Sequence, residues 1–178
     1  MDLIEYLSTW HLKNYERAIP DTQVYGLMGE SATDLNESSQ PIIGFSILSM
    51  KSEILRHLLR HLLPIMEHQT NLKLKPIYAL SRLYLGGAEL KNHIDRKACE
   101  ISASITVKYF YENKNYKWPL CMGDIPIVIK SGDGVIYKGC EIEHWRPIFQ
   151  QPKEYWHHQI FLHYVDLNGP YSDVKEEI

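Results

Sequence analysis

The apolar periodicity of this 178-residue chain changes near Lys75, and that change sets the fold class. Residues 51–68 place Ile54, Leu55, Leu58, Leu59, Leu62, Leu63, Ile65 and Met66 at i, i+3, i+4 and i+7 spacing, which predicts one strongly amphipathic helix. Leu3, Ile4, Leu7, Trp10 and Leu12 predict a shorter peripheral helix within residues 1–20, ended before Pro20. The polar run from Gly29 to Pro41 reads as a loop. Beyond Lys75 the pattern becomes short apolar or alternating runs: Ile77–Leu85, Glu100–Tyr111, Ile125–Ile129, Gly134–Tyr137 and His158–Val165. Between them lie Gly86-Gly87, Asn113–Asn115, Ser131-Gly132-Asp133-Gly134 and Gly139. Helices followed by many short strands make an α+β domain whose sheet part is a sandwich or a jelly roll.

Composition narrows the function class. At 44% apolar and 23% charged residues the chain is globular rather than disordered. Lys and Arg total 19 against 22 Asp and Glu, so there is no strong nucleic-acid signal. No run approaches the ~18 apolar residues of a membrane helix, and Met1-Asp2-Leu3-Ile4-Glu5 lacks the basic and apolar regions of a leader, so no membrane is expected and a cytoplasmic location is. Cys99, Cys121 and Cys140 form no Cys-x-x-Cys pair and are expected to be free thiols.

Two segments carry chemistry. In Asn92-His93-Ile94-Asp95-Arg96, extended backbone would point His93 and Asp95 to the same side, an imidazole nitrogen beside a carboxylate oxygen. About fifty residues later, a Gly132-Asp133-Gly134 turn, an apolar strand and Gly139 lead to His144-Trp145-Arg146-Pro147. Two histidines and one carboxylate are the ligand set of the facial triad of non-haem Fe(II) oxygenases, which leaves three metal positions open. His57 and His61, at i and i+4, look superficially like the zincin helix, but Leu58 stands where the catalytic Glu would be, so they read as helix surface.

With these motifs in order, the chain resembles the Fe(II)/2-oxoglutarate-dependent dioxygenases, in particular their prolyl-4-hydroxylase-like branch. Further points of likeness are Tyr78–Tyr84, Gly87, Leu90, Cys99-Glu100, Trp118-Pro119-Leu120, Gly139-Cys140-Glu141 and Phe161-Leu162-His163-Tyr164-Val165, so that it spans about residues 70–170. The resemblance implies a double-stranded β-helix (a cupin-like jelly roll) over about residues 75–170, with N-terminal supporting helices over about residues 1–70, in one domain covering 1–178. It implies Fe(II) held by His93, Asp95 and His144, with 2-oxoglutarate and O₂ as cosubstrates. It also implies hydroxylation rather than halogenation, because Asp95 keeps the carboxylate position.

The chain departs from the family pattern at the cosubstrate anchor. Many members carry Arg or Lys about ten residues after the distal histidine, but here that window reads Lys153-Glu154-Tyr155-Trp156-His157-His158. Arg146, two residues beyond His144, is the favoured anchor for the distal carboxylate of 2-oxoglutarate, with Tyr84 beside it. His157 and Lys108 are the other candidates. The expected substrate is peptidyl or a small molecule. A cupin-type metal enzyme that does not use 2-oxoglutarate, or an inactive binding module of the same fold, are the alternatives.

Overall fold

A computed structural model describes residues 2–13, 19–20, 44–48, 50 and 52–177. The loop expected over 29–41 lies outside the described residues. Two antiparallel sheets face each other. The major sheet runs β1 (Ile19–Pro20), β2 (Gly44–Leu48), β3 (Leu74–Leu85), β10 (Trp156–Asp166), β5 (Ile101–Phe110) and β8 (Gly134–Tyr137) across its width. The minor sheet runs β4 (Leu90–His93), β9 (His144–Arg146), β6 (Leu120–Met122) and β7 (Ile125–Ile127). Non-sequential strand order with antiparallel pairing throughout is jelly-roll topology. The segment before residue 70 is therefore not purely helical, since β1 and β2 extend the edge of the major sheet.

The central strands β3, β10 and β5 of the major sheet are buried on both faces, and strand alternation divides their residues into two cores. On β5, Ile101, Ala103 and Val107 face outward to the helices, joined by Ala79 of β3 and Ile160, Leu162 and Tyr164 of β10. The helices α1 (Leu3–Lys13), α2 (Glu53–His61) and α3 (Leu63–Thr70) cover this face, with Leu7, Leu55, Leu59 and Met66 as their buried contacts. The Tyr164 hydroxyl ties β10 to α2 by donating to the Leu59 carbonyl at 2.7 Å.

The single helix expected over 51–68 is two helices. Ser52 caps the first, its hydroxyl accepting from the Leu55 amide at 3.3 Å. Pro64 has no N–H to continue the ladder and its ring crowds the preceding turn, so the chain breaks at Leu62 and restarts. Asn71, in the left-handed conformation at φ 57°, ends α3 and turns the chain into β3.

The second core fills the space between the sheets. Tyr78, Leu80 and Tyr84 of β3 and Phe161 of β10 meet Leu90 of the minor sheet, together with Trp118 and Phe149 from the connecting loops. The inward residues of β5 are different in kind: Ser102, Ser104 and Thr106, all fully buried. These short hydroxyl side chains leave room inside the barrel and line it with polar atoms.

Candidate functional site

Strand register brings the two histidines together. β4 and β9 are antiparallel neighbours with His93 directly opposite His144, and the ring centroids are 4.4 Å apart. Asp95 follows in the loop after β4, where its amide donates to the Gly139 carbonyl at 2.8 Å. Gly139 is required here, because a Cβ at this position would collide with Asp95 Oδ2 and the Cys99 carbonyl. The Asp95 Oδ1 atom lies 3.6 Å from both His93 Nε2 and His144 Nε2.

The tautomers are set by backbone carbonyls. His93 Nδ1 is 2.8 Å from the Lys91 oxygen, and His144 Nδ1 is 2.9 Å from the Ile142 oxygen. A carbonyl only accepts, so each Nδ1 carries the hydrogen and each Nε2 keeps a lone pair directed at Asp95. Burial raises the Asp95 carboxyl, but the close approach of His93, His144 and His163 outweighs it and holds the pKa below the usual carboxylate range. Burial, with the neighbouring His93, pushes His144 down despite Asp95, which favours neutral imidazole. Two imidazole lone pairs and a carboxylate converging on one point form a group able to hold a metal ion. This donor set, two nitrogens and one oxygen without sulfur, fits octahedral Fe(II).

Arg146 lies deeper in the barrel, on the same strand and the same side as His144. Only 1% of its surface is exposed. Its Nη1 donates to the Trp118 carbonyl at 3.0 Å and its Nη2 to Gln159 Oε1, while Nε is buried without a partner. The guanidinium stacks 4.5 Å from the Trp118 ring and sits 5.9 Å from that of Tyr84. Among the described residues it makes no ion pair with a carboxylate, and burial lowers its pKa. A buried cation lacking an anion is expensive to maintain, so this arrangement favours an anionic ligand.

Of the other anchor candidates, Tyr84 lies beside Arg146, His157 is interior but uncharged, and Lys108 faces away. Tyr84 is fully buried on β3, its ring flanked by the guanidinium groups of Arg82 and Arg146. His157 is also interior, with Nδ1 2.6 Å from the Tyr111 hydroxyl. Burial together with the Arg146 charge holds its pKa well below the usual range, so His157 is neutral and supplies no cation for a carboxylate. Instead it abuts Trp118 at 5.3 Å. Lys108 is on the opposite, helix-facing side of β5, paired with Glu5 of α1 at 2.6 Å, and therefore does not reach the barrel interior. A bulge between His158 and Gln159 shifts its register on β10.

The sequence reading missed Gln159 and Ser104. Gln159 accepts from Arg146 and donates to Ser104 Oγ, so a polar chain crosses the barrel from β9 through β10 to β5. Alternation along β10 is the signal that would have found it, because Gln159 shares the inner side with Phe161 and His163. All three cysteines are free, and His57 and His61 stack at 6.0 Å on α2, remote from the triad in the fold.

No protein-family model matches this chain, and no curated protein is significantly similar to it in sequence. Solved structures are similar in fold. The non-haem α-ketoglutarate-dependent epimerase SnoN from nogalamycin biosynthesis superposes with a TM-score of 0.58 at 11% identity, over 92% of this chain and 82% of that one. The viral collagen prolyl hydroxylase of Paramecium Bursaria Chlorella virus-1, in complex with 2-oxoglutarate, gives 0.53 at 11% identity over 82% and 91%. EctD from S. alaskensis with bound Fe gives 0.52 at 13% identity over 82% and 66%. The chain thus has the double-stranded β-helix fold of the 2-oxoglutarate/Fe(II) oxygenases, prolyl hydroxylases among them.

Proposed function

We propose that this protein is an Fe(II)- and 2-oxoglutarate-dependent dioxygenase that hydroxylates an unactivated C–H bond of a peptidyl or small-molecule substrate. The observation that carries the reading is the pairing of two features in one barrel: a His93/Asp95/His144 ligand set with preset tautomers, and a buried guanidinium with no anion of its own. His93 Nε2, His144 Nε2 and Asp95 Oδ1 would hold Fe(II). Bound there, the metal with 2-oxoglutarate and O₂ supplies the oxidant that converts R–H to R–OH, with release of succinate and CO₂.

The chain's own residues do the rest. Arg146 pairs with the distal carboxylate of the cosubstrate, and the short side chains of Ser104 and Thr106 leave space for its carbon chain. Gln159 holds the Arg146 fork from one side and Trp118 covers its face, so the guanidinium is oriented before the ligand arrives. Tyr84 completes the wall and places a hydroxyl in the same region. Aromatic residues around Arg146 exclude water, which strengthens the charge pair. A single domain over 1–178 is part of this proposal, with substrate selectivity in the loops that join the two sheets, 112–119 among them.

The test is conversion of 2-oxoglutarate to succinate by the Fe(II)-loaded protein under O₂. Slow succinate formation without added substrate is expected for the wild type and none for Asp95→Ala. Absence of succinate from a wild-type protein that binds iron would refute the cosubstrate assignment.

A further inference from the structure

The Asp95 carboxylate has a second oxygen that the triad does not use. Oδ2 is buried and accepts no hydrogen bond. Together with the Cys99 carbonyl and Ser102 Oγ, it would crowd a Cβ at Gly139. Cys99, from the 3-10 turn Lys97–Cys99, and His163 of β10 stand beside Asp95. One ligand atom from each of Asp95, Cys99 and His163 lies within 4.8 Å of the others, and Cys99 and His163 are both buried.

Hydrogen-bond directions show what these atoms offer. Ser102 Oγ donates to the Cys99 carbonyl at 3.0 Å. Its one hydrogen is thereby used, so the 2.9 Å contact between Ser102 Oγ and His163 Nδ1 has the ring nitrogen as donor. His163 Nε2 is left with a lone pair. The Tyr78 hydroxyl lies 3.1 Å from Cys99 Sγ, with the Arg96 guanidinium 4.8 Å from the Tyr78 ring centroid. Either atom can donate in the Tyr78–Cys99 contact, and toward an ionised sulfur the Tyr78 hydroxyl is the donor. Arg96 itself is neutralised by Glu177 through two hydrogen bonds of 2.8 and 2.6 Å, so it adds no net charge against a cation.

We infer that Asp95, Cys99 and His163 form a second metal site, for a thiophilic divalent ion such as Zn(II), sharing the Asp95 carboxylate with the triad. A carboxylate, a sulfur and an imidazole lone pair are zinc donors, whereas the sulfur-free triad suits iron. With the carboxylate shared, the thiolate supplies the further negative charge that offsets part of the second cation. The inference does not depend on 2-oxoglutarate, and each site can fail without the other.

Cobalt(II) is the probe, because thiolate ligation gives it an intense near-ultraviolet charge-transfer band. Titration of the chelator-treated, full-length protein without oxygen should show two equivalents bound and this band. Cys99→Ser should remove the band and the second equivalent while keeping the first. Cys121→Ser and Cys140→Ser should leave the band unchanged, and the double variant His93→Ala/His144→Ala should retain it. Tyr78→Phe should weaken the thiolate-bound equivalent about 10- to 100-fold, the usual effect of losing a hydrogen bond to a ligand. A single equivalent without a thiolate band in the wild type would overturn the inference. So would a band that survives Cys99→Ser.

Discussion

The two sheets of this barrel divide its work. The major sheet holds β3 and β10, 12 and 11 residues long, with β10 hydrogen-bonded along both edges. The minor sheet consists of strands of three or four residues, and β4 meets β9 at only two registered pairs, Leu90 with Arg146 and His93 with His144. Most of the buried apolar residues belong to the first sheet, while His93, His144 and Arg146 stand on the second. A long, doubly buried sheet can thus hold a short one whose residues are chosen for function rather than packing, and substitutions in the two should separate cleanly.

The largest effect belongs to the minor sheet. Arg146→Met keeps the volume of the side chain and removes its charge. Truncating one member of a buried charge pair costs about 2–5 kcal/mol, so half-saturation by 2-oxoglutarate should rise about 30-fold or more while iron binding persists. Isothermal titration with each ligand separates the two. An unchanged cosubstrate affinity would move the anchor elsewhere.

On the major sheet, Leu162→Ala empties a fully buried outer-core position. Unfolding free energy should fall by about 2–5 kcal/mol, read from the urea midpoint, with metal affinity of the folded fraction unaltered. If metal binding fell in proportion, the separation of the sheets would be wrong.

Titration of the buried histidines of β10 ties the major sheet to pH. Burial lowers His163 from 6.5 to about 4, and His157 is shifted in the same direction. The unfolded chain binds more protons than the folded one between these values, so stability rises with pH across that window and is lost as pH falls through it. For His163 alone the change is on the order of 3 kcal/mol. Urea midpoints measured between pH 7 and pH 4 should show this slope, reduced in His163→Gln. A flat profile would mean that the ring is protonated in the folded state.

The smallest effect is expected at Lys108. Its pair with Glu5 is partly exposed on the helix side, so Lys108→Met should change stability by no more than about 1 kcal/mol and leave 2-oxoglutarate affinity alone. A large rise in the cosubstrate requirement would contradict its placement outside the barrel.

The same division explains what could be read from the residues. Long strands with regular alternation, β3, β5 and β10, were visible, and β8 was found with its observed limits. The helix break at Leu62 was signalled by Pro64, which the regular leucine spacing masked. β4, β6 and β9 were not recognised as strands, because three or four residues carrying His, Arg, Asn or Cys have no apolar periodicity to detect. The likeness in order and spacing still marked His93, Asp95 and His144, which the fold brings together. Lys108 turns outward at a bulge, and His157, though interior, loses its charge to burial, neither of which the sequence pattern signals. Gln159 and Ser104 are ordinary strand residues in sequence, and only their shared inner side with Arg146 gives them a role.

The central claim is that the triad holds Fe(II) with 2-oxoglutarate bound beside it. Its most direct measurement is the visible metal-to-ligand absorption formed when Fe(II) and 2-oxoglutarate are added without oxygen. The account requires the band in the wild-type protein and its loss in His144→Ala. No band in the wild type, or an undiminished band in the variant, would contradict it.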